Sequence, residues 1–579
     1  MRNIPANDYK SFLIHKYHWD DRNKLIDDYN GLNSFIDNNF DTISKYMGKI
    51  TNTSSDPRFW KINLGMWVGY LIQALFDRWE NIRTLPNFKF NLIKTPLDIN
   101  LLRPNTVDDF FTDLTTDGWN ESVYRLIIQA QKKKINYQID ILRENPITFD
   151  RQKKKNKDKI NSKINILLKH FINAINKLYK TNYFIIASYL SFFNSIKLNL
   201  FLKEIPIIYN NLNIFRPKIN YKYLENKFEK SNNLNRISFE IDQKSPWMVR
   251  NKDFLIWFQD VISHFIPHNY FFHFEKFSKE MKSLPFPKKP KIIFTSNMYN
   301  RNDYFNLFAS ESVLLGAKYI IGQHGGTFRS AKINYSENIQ KEVSDYYLTW
   351  GKDRHDDKQF RTKVIPVGNL KTSSRKIIKK KITNNRILLL TTDLPCYSNM
   401  LSSIPISGQF LNYYEDINKF LSKSKELGLY NQIIFRNKFR KDGWNFNKKI
   451  LCQFPNISFD TINNYHKSIQ SSSLIISTYN GATFLETLSL NIPTIFFWNP
   501  MYWELRDHSI KDYEELVEVG IFHKNPYSAA KFVHKINSNI YSWWNSTKVQ
   551  TTRINFCIKY SKYNENISYD IMKIIKNAH

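Results

Sequence analysis

Glycine is scarce in this chain, 16 in 579 residues, and cysteine scarcer still. The three cysteines, Cys396, Cys452 and Cys557, lie far apart with no C-x-x-C, which excludes a disulfide framework or a zinc knuckle and points to a reducing compartment. Long apolar runs are missing as well. The longest, from Tyr183 to Phe193, falls short of the ~18 residues of a membrane-spanning helix, and the first ten residues hold no apolar signal segment. These features place the protein in the cytoplasm, with a peripheral contact on the inner membrane left open. Acidic residues are too few to balance the basic ones (52 against 84, net charge +32). The excess is spread along the whole chain, and Lys, Asn, Ile, Tyr and Phe are all frequent together, as AT-rich codons would produce. No specific nucleic-acid partner is therefore expected. Short catalytic motifs are absent too: no G-x-x-x-x-G-K-[ST], G-x-G-x-x-G, H-E-x-x-H or G-x-S-x-G, and no D-x-D pair.

What remains is ample core material, with hydrophobic residues at 42% and aromatics at 16%, in a chain long enough for two to four units at about 150 residues each. Residues 1–90 carry an aromatic stripe at helical spacing (Trp60, Leu64, Trp67, Leu71, Leu75, Trp79), a core pattern. The run Arg151–Lys159 reads as a solvated surface. From Lys291 the rhythm changes to short apolar strands alternating with helices. Strands are expected at Lys291–Asn297, Tyr319–Ile321, Tyr346–Trp350 and Val364–Gly368, and then, past a basic stretch at 371–386, at Ile387–Thr392, Gln432–Arg436, Leu474–Thr478 and Pro493–Trp498. Such alternation predicts parallel, doubly wound sheets. The expected organisation is a first Rossmann-like unit over 1–370, with a helical N-terminal region and an insertion at about 150–285, a linker at 371–386, and a second Rossmann-like unit over 387–579.

Two segments carry chemistry. In Lys318–Phe328 an apolar strand runs into Gln323-His324-Gly325-Gly326, with three glycines inside five positions. Glycines permit a sharp turn and close approach to a ligand, and open α/β sheets bind ligands at strand carboxyl ends. His324 is the candidate general base, because imidazole titrates near neutrality. A ligand-binding donor and a turn histidine satisfied by backbone are its other readings. The second segment is Ser477–Thr494, where a strand feeds a small-residue turn and a helix. Gly481, Ala482 and Thr483, with Asn480 before them, offer free N–H groups at a positive helix end, an anion site, and Glu486 falls one turn on, in reach of ribose hydroxyls; an ordinary βαβ unit with Asn480 as N-cap and Glu486 solvated is the other reading. Arg436 and Lys438, at the end of another strand, are candidates for phosphate oxygens, a solvated basic loop being the other reading. Asn297, Gln323, Gly325 and Gly326 are candidates for contacts in the cleft. His264, His268 and His273 mimic metal spacing, but Pro267 breaks the helix that would align them, and no metal ligand set is assigned.

The histidine turn followed by Val343-Ser-Asp-Tyr-Tyr-Leu-Thr-Trp-Gly351 resembles a family of bacterial transferases from O-antigen and other surface-polysaccharide clusters. The segments Arg58–Trp79, Thr116–Asn120, Ser477–Pro500, Trp503–Arg506 and Val519–His523 extend the likeness. More distantly, the Gln-His-Gly turn and the Gly-Ala-Thr-Phe-Leu-Glu helix are similar to capsule glycosyltransferases and CDP-glycerol glycerophosphotransferases of the GT-B fold. The resemblance implies an α/β, GT-B-like fold, two Rossmann-type domains facing a cleft, with the nucleotide-sugar donor on the second and a glycan or lipid-linked glycan acceptor on the first. It implies sugar transfer to a cell-surface polysaccharide, with no cofactor beyond the nucleotide sugar as co-substrate. The missing D-x-D, which commonly holds a divalent ion, makes a metal-independent reaction the expectation. A glycerophosphate transferase or a nucleotide-sugar 2-epimerase on the same fold, and a non-catalytic anionic-surface or nucleic-acid binder, are the alternatives.

Overall fold

The computed structural model describes residues 16–85, 90–93, 102–133, 135–138, 179–206, 236–354, 357–373, 385–437 and 443–578. The run Arg151–Lys159, Lys438 and most of the basic stretch at 371–386 lie outside them.

Two long helices open the described chain. Helix α1 (Arg22–Thr51) is capped by the Asp21 carboxylate, which accepts from the N–H groups of Asn23 and Lys24. Helix α2 (Pro57–Arg83) starts on a proline at its first turn with Asp56 as cap. Helix α2 is buried almost all round, so the aromatic stripe read from the sequence is one side of a central core helix. Its Gly69 is needed for space: a Cβ there would sit 2.0 Å from the Tyr335 ring, whose hydroxyl donates to the Gly65 carbonyl at 2.9 Å.

Two parallel sheets follow; the pair β1 (Phe90–Ile93) and β2 (Ile135–Gln138) stands apart from both. The first runs β3 (Tyr183–Ile185), β4 (Ile292–Thr295), β5 (Lys318–Gly322), β6 (Tyr346–Thr349) and β7 (Lys363–Pro366), in sequence order. The second comprises β8 (Ile387–Thr391), β9 (Ile433–Asn437), β10 (Ser458–Phe459), β11 (Leu474–Ser477), β12 (Thr494–Phe497) and β13 (Phe522–His523), arranged β10-β9-β8-β11-β12-β13. Strands β4, β8, β11 and β12 are buried at every residue, as continuous apolar strands covered on both faces must be. In the second sheet the order reverses between β8 and β11, the switch point where doubly wound sheets take ligands.

The expected α/β architecture is present: two Rossmann-type sheets with a helical N-terminal region. All eight expected strands form. The pair β1 and β2 is not among them, and within the two sheets strands β3, β10 and β13, of two or three residues, are additional, being too short to leave a periodic signature. The helical region packs on one face of the first sheet, around Ile293, Tyr319, Ile321 and Tyr347. The other face is covered by helix Phe192–Phe201 and by helix Ile567–Asn577. The last helix thus follows the second sheet in sequence and closes the core of the first.

Candidate functional site

The carboxyl ends of β4, β5 and β7, together with the chain after β3, meet the carboxyl end of β11. His324 stands two residues past β5. Its Nδ1 lies 3.2 Å from the Tyr299 hydroxyl, and its ring packs edge-on against Phe328 at 4.7 Å. Burial, and after it the Lys371 ammonium, lower the His324 pKa to about 3, against a hydrogen bond to the Ser296 carbonyl that works the other way. The imidazole is therefore neutral at pH 7. Burial holds the Tyr299 phenol far above its usual range, so that hydroxyl keeps its proton.

Lys371 is the residue that ties the cleft together. Its Nζ sits 3.3 Å from Glu486 Oε1, 4.7 Å above the Tyr189 ring and 5.7 Å from that of Trp350. Tyr189 accepts a 2.7 Å bond from Asn297 Nδ2. Burial, and then the Glu486 charge, raise its pKa. Both Ala187 (φ 48°) and Tyr189 (φ 64°) hold left-handed backbone, strained for residues with a Cβ, and strain of this kind gathers at functional sites.

Opposite stands helix Ala482–Ser489, with Gly481 as cap, no capping side chain and no acid in its first turn. Its leading N–H groups thus lack the side-chain acceptor that usually satisfies a helix start. Asn480, 2% exposed, has neither amide atom hydrogen-bonded, a rare condition for a buried amide and one that a ligand relieves. Thr483 Oγ1 lies 3.1 Å from the Tyr479 hydroxyl.

The two turns touch. A Cβ on Gly326 would fall 2.2 Å from the Gly481 carbonyl oxygen and 2.6 Å from the Ala482 nitrogen, whereas one on Gly325 would meet only the Phe328 ring at 3.6 Å. The two chemistry-bearing turns of the sequence therefore meet, with His324 on the first and Gly481, Ala482, Thr483 and Glu486 on the second and the helix it opens.

Other candidates are placed differently. Gln323 is 1% exposed and its amide is consumed within the fold, donating to the Gly325 carbonyl (3.0 Å) and accepting from Trp350 N–H (2.9 Å). It shapes the turn. Arg436 points its guanidinium at Asp460 Oδ2 (2.5 Å) and at the carbonyls of Ile462 (2.6 Å) and Asn463 (3.2 Å). Those bonds commit it to the 460–463 loop, so a phosphate at the Ala482 helix would have to break them. Lys438 lies outside the described residues. His264, His268 and His273 are not part of any metal-type cluster of three or more ligands among the described residues.

Sequence reasoning missed Lys371, Tyr299, Tyr189 and Glu337. Tyr299 and Lys371 each follow a strand end, the rule that selected His324, but Lys371 opens a stretch read as linker. Glu337, fully buried, receives Arg506 Nη2 at 2.7 Å and Lys341 Nζ at 3.3 Å, and accepts from the Arg329 N–H at 3.0 Å. Because Arg506 lies between β12 and β13 of the second sheet and Glu337 on helix Tyr335–Val343 between β5 and β6 of the first, this cluster joins the two units. A bridge between Ala331 and Leu505 lies beside it.

These features define an α/β protein of two Rossmann-type units whose histidine turn and Ala482 helix start are in contact. The chain belongs to the LIC12162 family transferase family, whose model matches residues 4–575; it is a transferase. No curated protein matches its sequence. Among solved structures it is similar to the wall teichoic acid polymerase TagF (13% identity, 74% of this chain and 98% of that one, TM-score 0.34). A UDP-N-acetylglucosamine 2-epimerase (11%, 68% and 95%, 0.34) and MurG from Acinetobacter baumannii (11%, 53% and 77%, 0.29) are similar at the same level. Overlaps this loose do not bear on substrate.

Proposed function

We propose that the protein is a cytoplasmic glycosyltransferase that moves a sugar from a nucleotide sugar to a cell-surface polysaccharide acceptor without a metal. The observation that carries the reading is the contact of the Gly326 turn with the start of the Ala482 helix, with Lys371 and Glu486 paired beside it. A nucleoside diphosphate placed there meets the helix N–H groups and the Lys371 ammonium, which offset the leaving charge. Glu486, released from Lys371 by the diphosphate, accepts from the ribose hydroxyls, and the Asn480 amide gains a partner.

His324 takes the proton of the acceptor hydroxyl. The Lys371 ammonium, after burial, destabilises the imidazole's conjugate acid. When a diphosphate neutralises that ammonium, the penalty lifts and the imidazole becomes more basic. Donor occupancy and basicity are thereby coupled.

The test is a thermal-shift screen of nucleotide sugars followed by turnover with the donor that stabilises the protein, since a ligand bound only to the native state raises its melting point. Thr483→Glu, which brings a carboxylate to the anion site, abolishes the shift, and His324→Ala keeps the shift but loses about a hundredfold or more in kcat. Full turnover in His324→Ala, or donor binding indifferent to Thr483→Glu, overturns the assignment. Product analysis by NMR separates transfer from epimerisation, which needs no acceptor.

A further inference from the structure

Helix Phe192–Phe201 is apolar on the side that faces away from the protein. Its inner side seals the first sheet through Leu198. Its outer side exposes Phe192 (54%), Phe193 (73%), Leu200 (58%) and Phe201 (41%), followed by Ile205 (42%). Positions 192, 196 and 200, with 193, 197 and 201, recur every four residues, so they form one stripe down the helix. Lys197, exposed, lies within that stripe, and Lys203 is exposed just beyond it. No acidic residue occurs on this helix.

The stripe continues onto helix Ile567–Asn577, which is tied to it by the Ser568 hydroxyl donating to the Asn194 carbonyl at 3.0 Å. There Tyr569, 45% exposed, lies 6.0 Å from Phe201, and Lys573 Nζ sits 4.4 Å over the Tyr569 ring. Exposed Lys576 is one turn further on. The one acid of that helix, Asp570, accepts from Asn564 Nδ2 at 2.9 Å.

We propose that this surface docks on an anionic phospholipid bilayer. Aromatic and aliphatic side chains between lysines are the composition of interfacial helices: the rings enter the headgroup boundary while the ammonium groups meet lipid phosphates. A contact of this kind is peripheral, because no described helix is long and apolar enough to cross a membrane. Its place in the fold is also apt. Tyr189, at the cleft beside Lys371, lies two residues before the Ser191 cap of the same helix, so a docked protein holds the acceptor edge of its cleft at the bilayer surface. The inference does not depend on which group the enzyme transfers.

The experiment is co-sedimentation of the full chain with vesicles of phosphatidylcholine alone and of phosphatidylcholine with phosphatidylglycerol, at physiological salt. The wild type is expected to sediment with the anionic vesicles and weakly with the neutral ones. The double variant Phe192→Ser, Phe193→Ser, altered only at exposed positions, keeps its melting temperature and loses partitioning roughly tenfold or more, the scale of two aromatic side chains left in water. Lys197→Glu weakens binding to the anionic vesicles alone. A wild type that stays in solution overturns the proposal. So does a double variant that sediments unchanged, which would leave diffuse positive charge as the cause. A wild-type dimer that dissociates in the double variant would assign the stripe to a second copy instead.

Discussion

Gly326→Ala tests the site at its narrowest point. The new Cβ would stand 2.2 Å from the Gly481 carbonyl oxygen, 2.3 Å from its carbon and 2.6 Å from the Ala482 nitrogen. All three are main-chain atoms, so no side chain can swing aside. Non-bonded atoms settle at about 3.5 Å, which means the turns must part by roughly 1 Å. A displacement of that size between a base and a leaving group can cost about a hundredfold in rate. Overpacking of this kind also costs about 1–3 kcal/mol. Gly325→Ala is the matched control: its Cβ meets the Phe328 ring at an ordinary 3.6 Å, and its effect is expected within about 0.5 kcal/mol. The assay is kcat with the stabilising donor, read beside the melting temperature of both variants. If Gly326→Ala turns over like the wild type, the two turns do not work as one site and the reasoning fails.

Two further outcomes follow from charges in the cleft and between the units. Lys371→Met removes one of the two causes that depress His324, so the histidine's pKa rises while burial keeps it below its ordinary value. Titration of the His324 ring protons by NMR reads this directly, the acid limb of the rate profile moves up in pH, and donor affinity falls about tenfold; an unmoved ring titration refutes the coupling. Glu337→Gln leaves Arg506 facing an uncharged amide in a buried place, while Arg329 keeps Asp353 and Asp357 and Lys341 keeps Asp357, at a cost of about 3 kcal/mol. Burial alone would raise the Glu337 pKa, but Arg506, Lys341 and Arg329 hold it well below 4.5. Its contribution is therefore complete above that pH and lost as pH falls through it towards the lower folded value. The melting temperature of the Gln variant should thus fall less steeply than the wild type's in acid, and equal slopes would contradict the charge assignment.

The sequence disclosed what has a local signature. Ile387–Thr391 and Leu474–Ser477 are apolar runs that only a doubly covered strand explains, and the His324 turn spends scarce glycine where a sheet ends. Gly326 itself was legible as a close-approach residue, although its partner, the main chain of Gly481, sits 155 positions later and could not be read. Arg436 shows the opposite failure. Placement after a strand made it a phosphate candidate, but whether a guanidinium is free depends on Asp460, which only the fold brings beside it. Lys371 was hidden by composition, since one lysine at the start of a basic stretch carries no signal until β7 delivers it to the cleft. Tyr189 was hidden just after β3, a strand of three residues.

The helical N-terminal region explains why such a narrow site can persist. Arg22 of α1 donates to both carboxylate oxygens of Glu504 (2.5 and 3.0 Å) and to Gln409 Oε1 (3.0 Å), which belong to the second unit. Gln73 of α2 accepts from the Leu401 N–H at 2.8 Å, and Arg78, fully buried, reaches the Ser398 carbonyl. The loop so gripped is the one leaving β8, the central strand at the switch point of the second sheet. Glu504 and Arg506 meanwhile bond to the segment 330–332 that follows the histidine turn, through the Lys332 N–H to the Glu504 carbonyl and the Arg506 N–H to the Ser330 carbonyl. Hydrogen bonds to charged groups contribute about 1.5–3 kcal/mol each when formed without strain, so a hinge that opened the cleft would give up several of them together. Two Rossmann-type units joined by a linker alone close on their ligand. Here the helices and the segment 504–506 tie the two units together, so for the proposed transfer less binding energy is spent on closing a hinge.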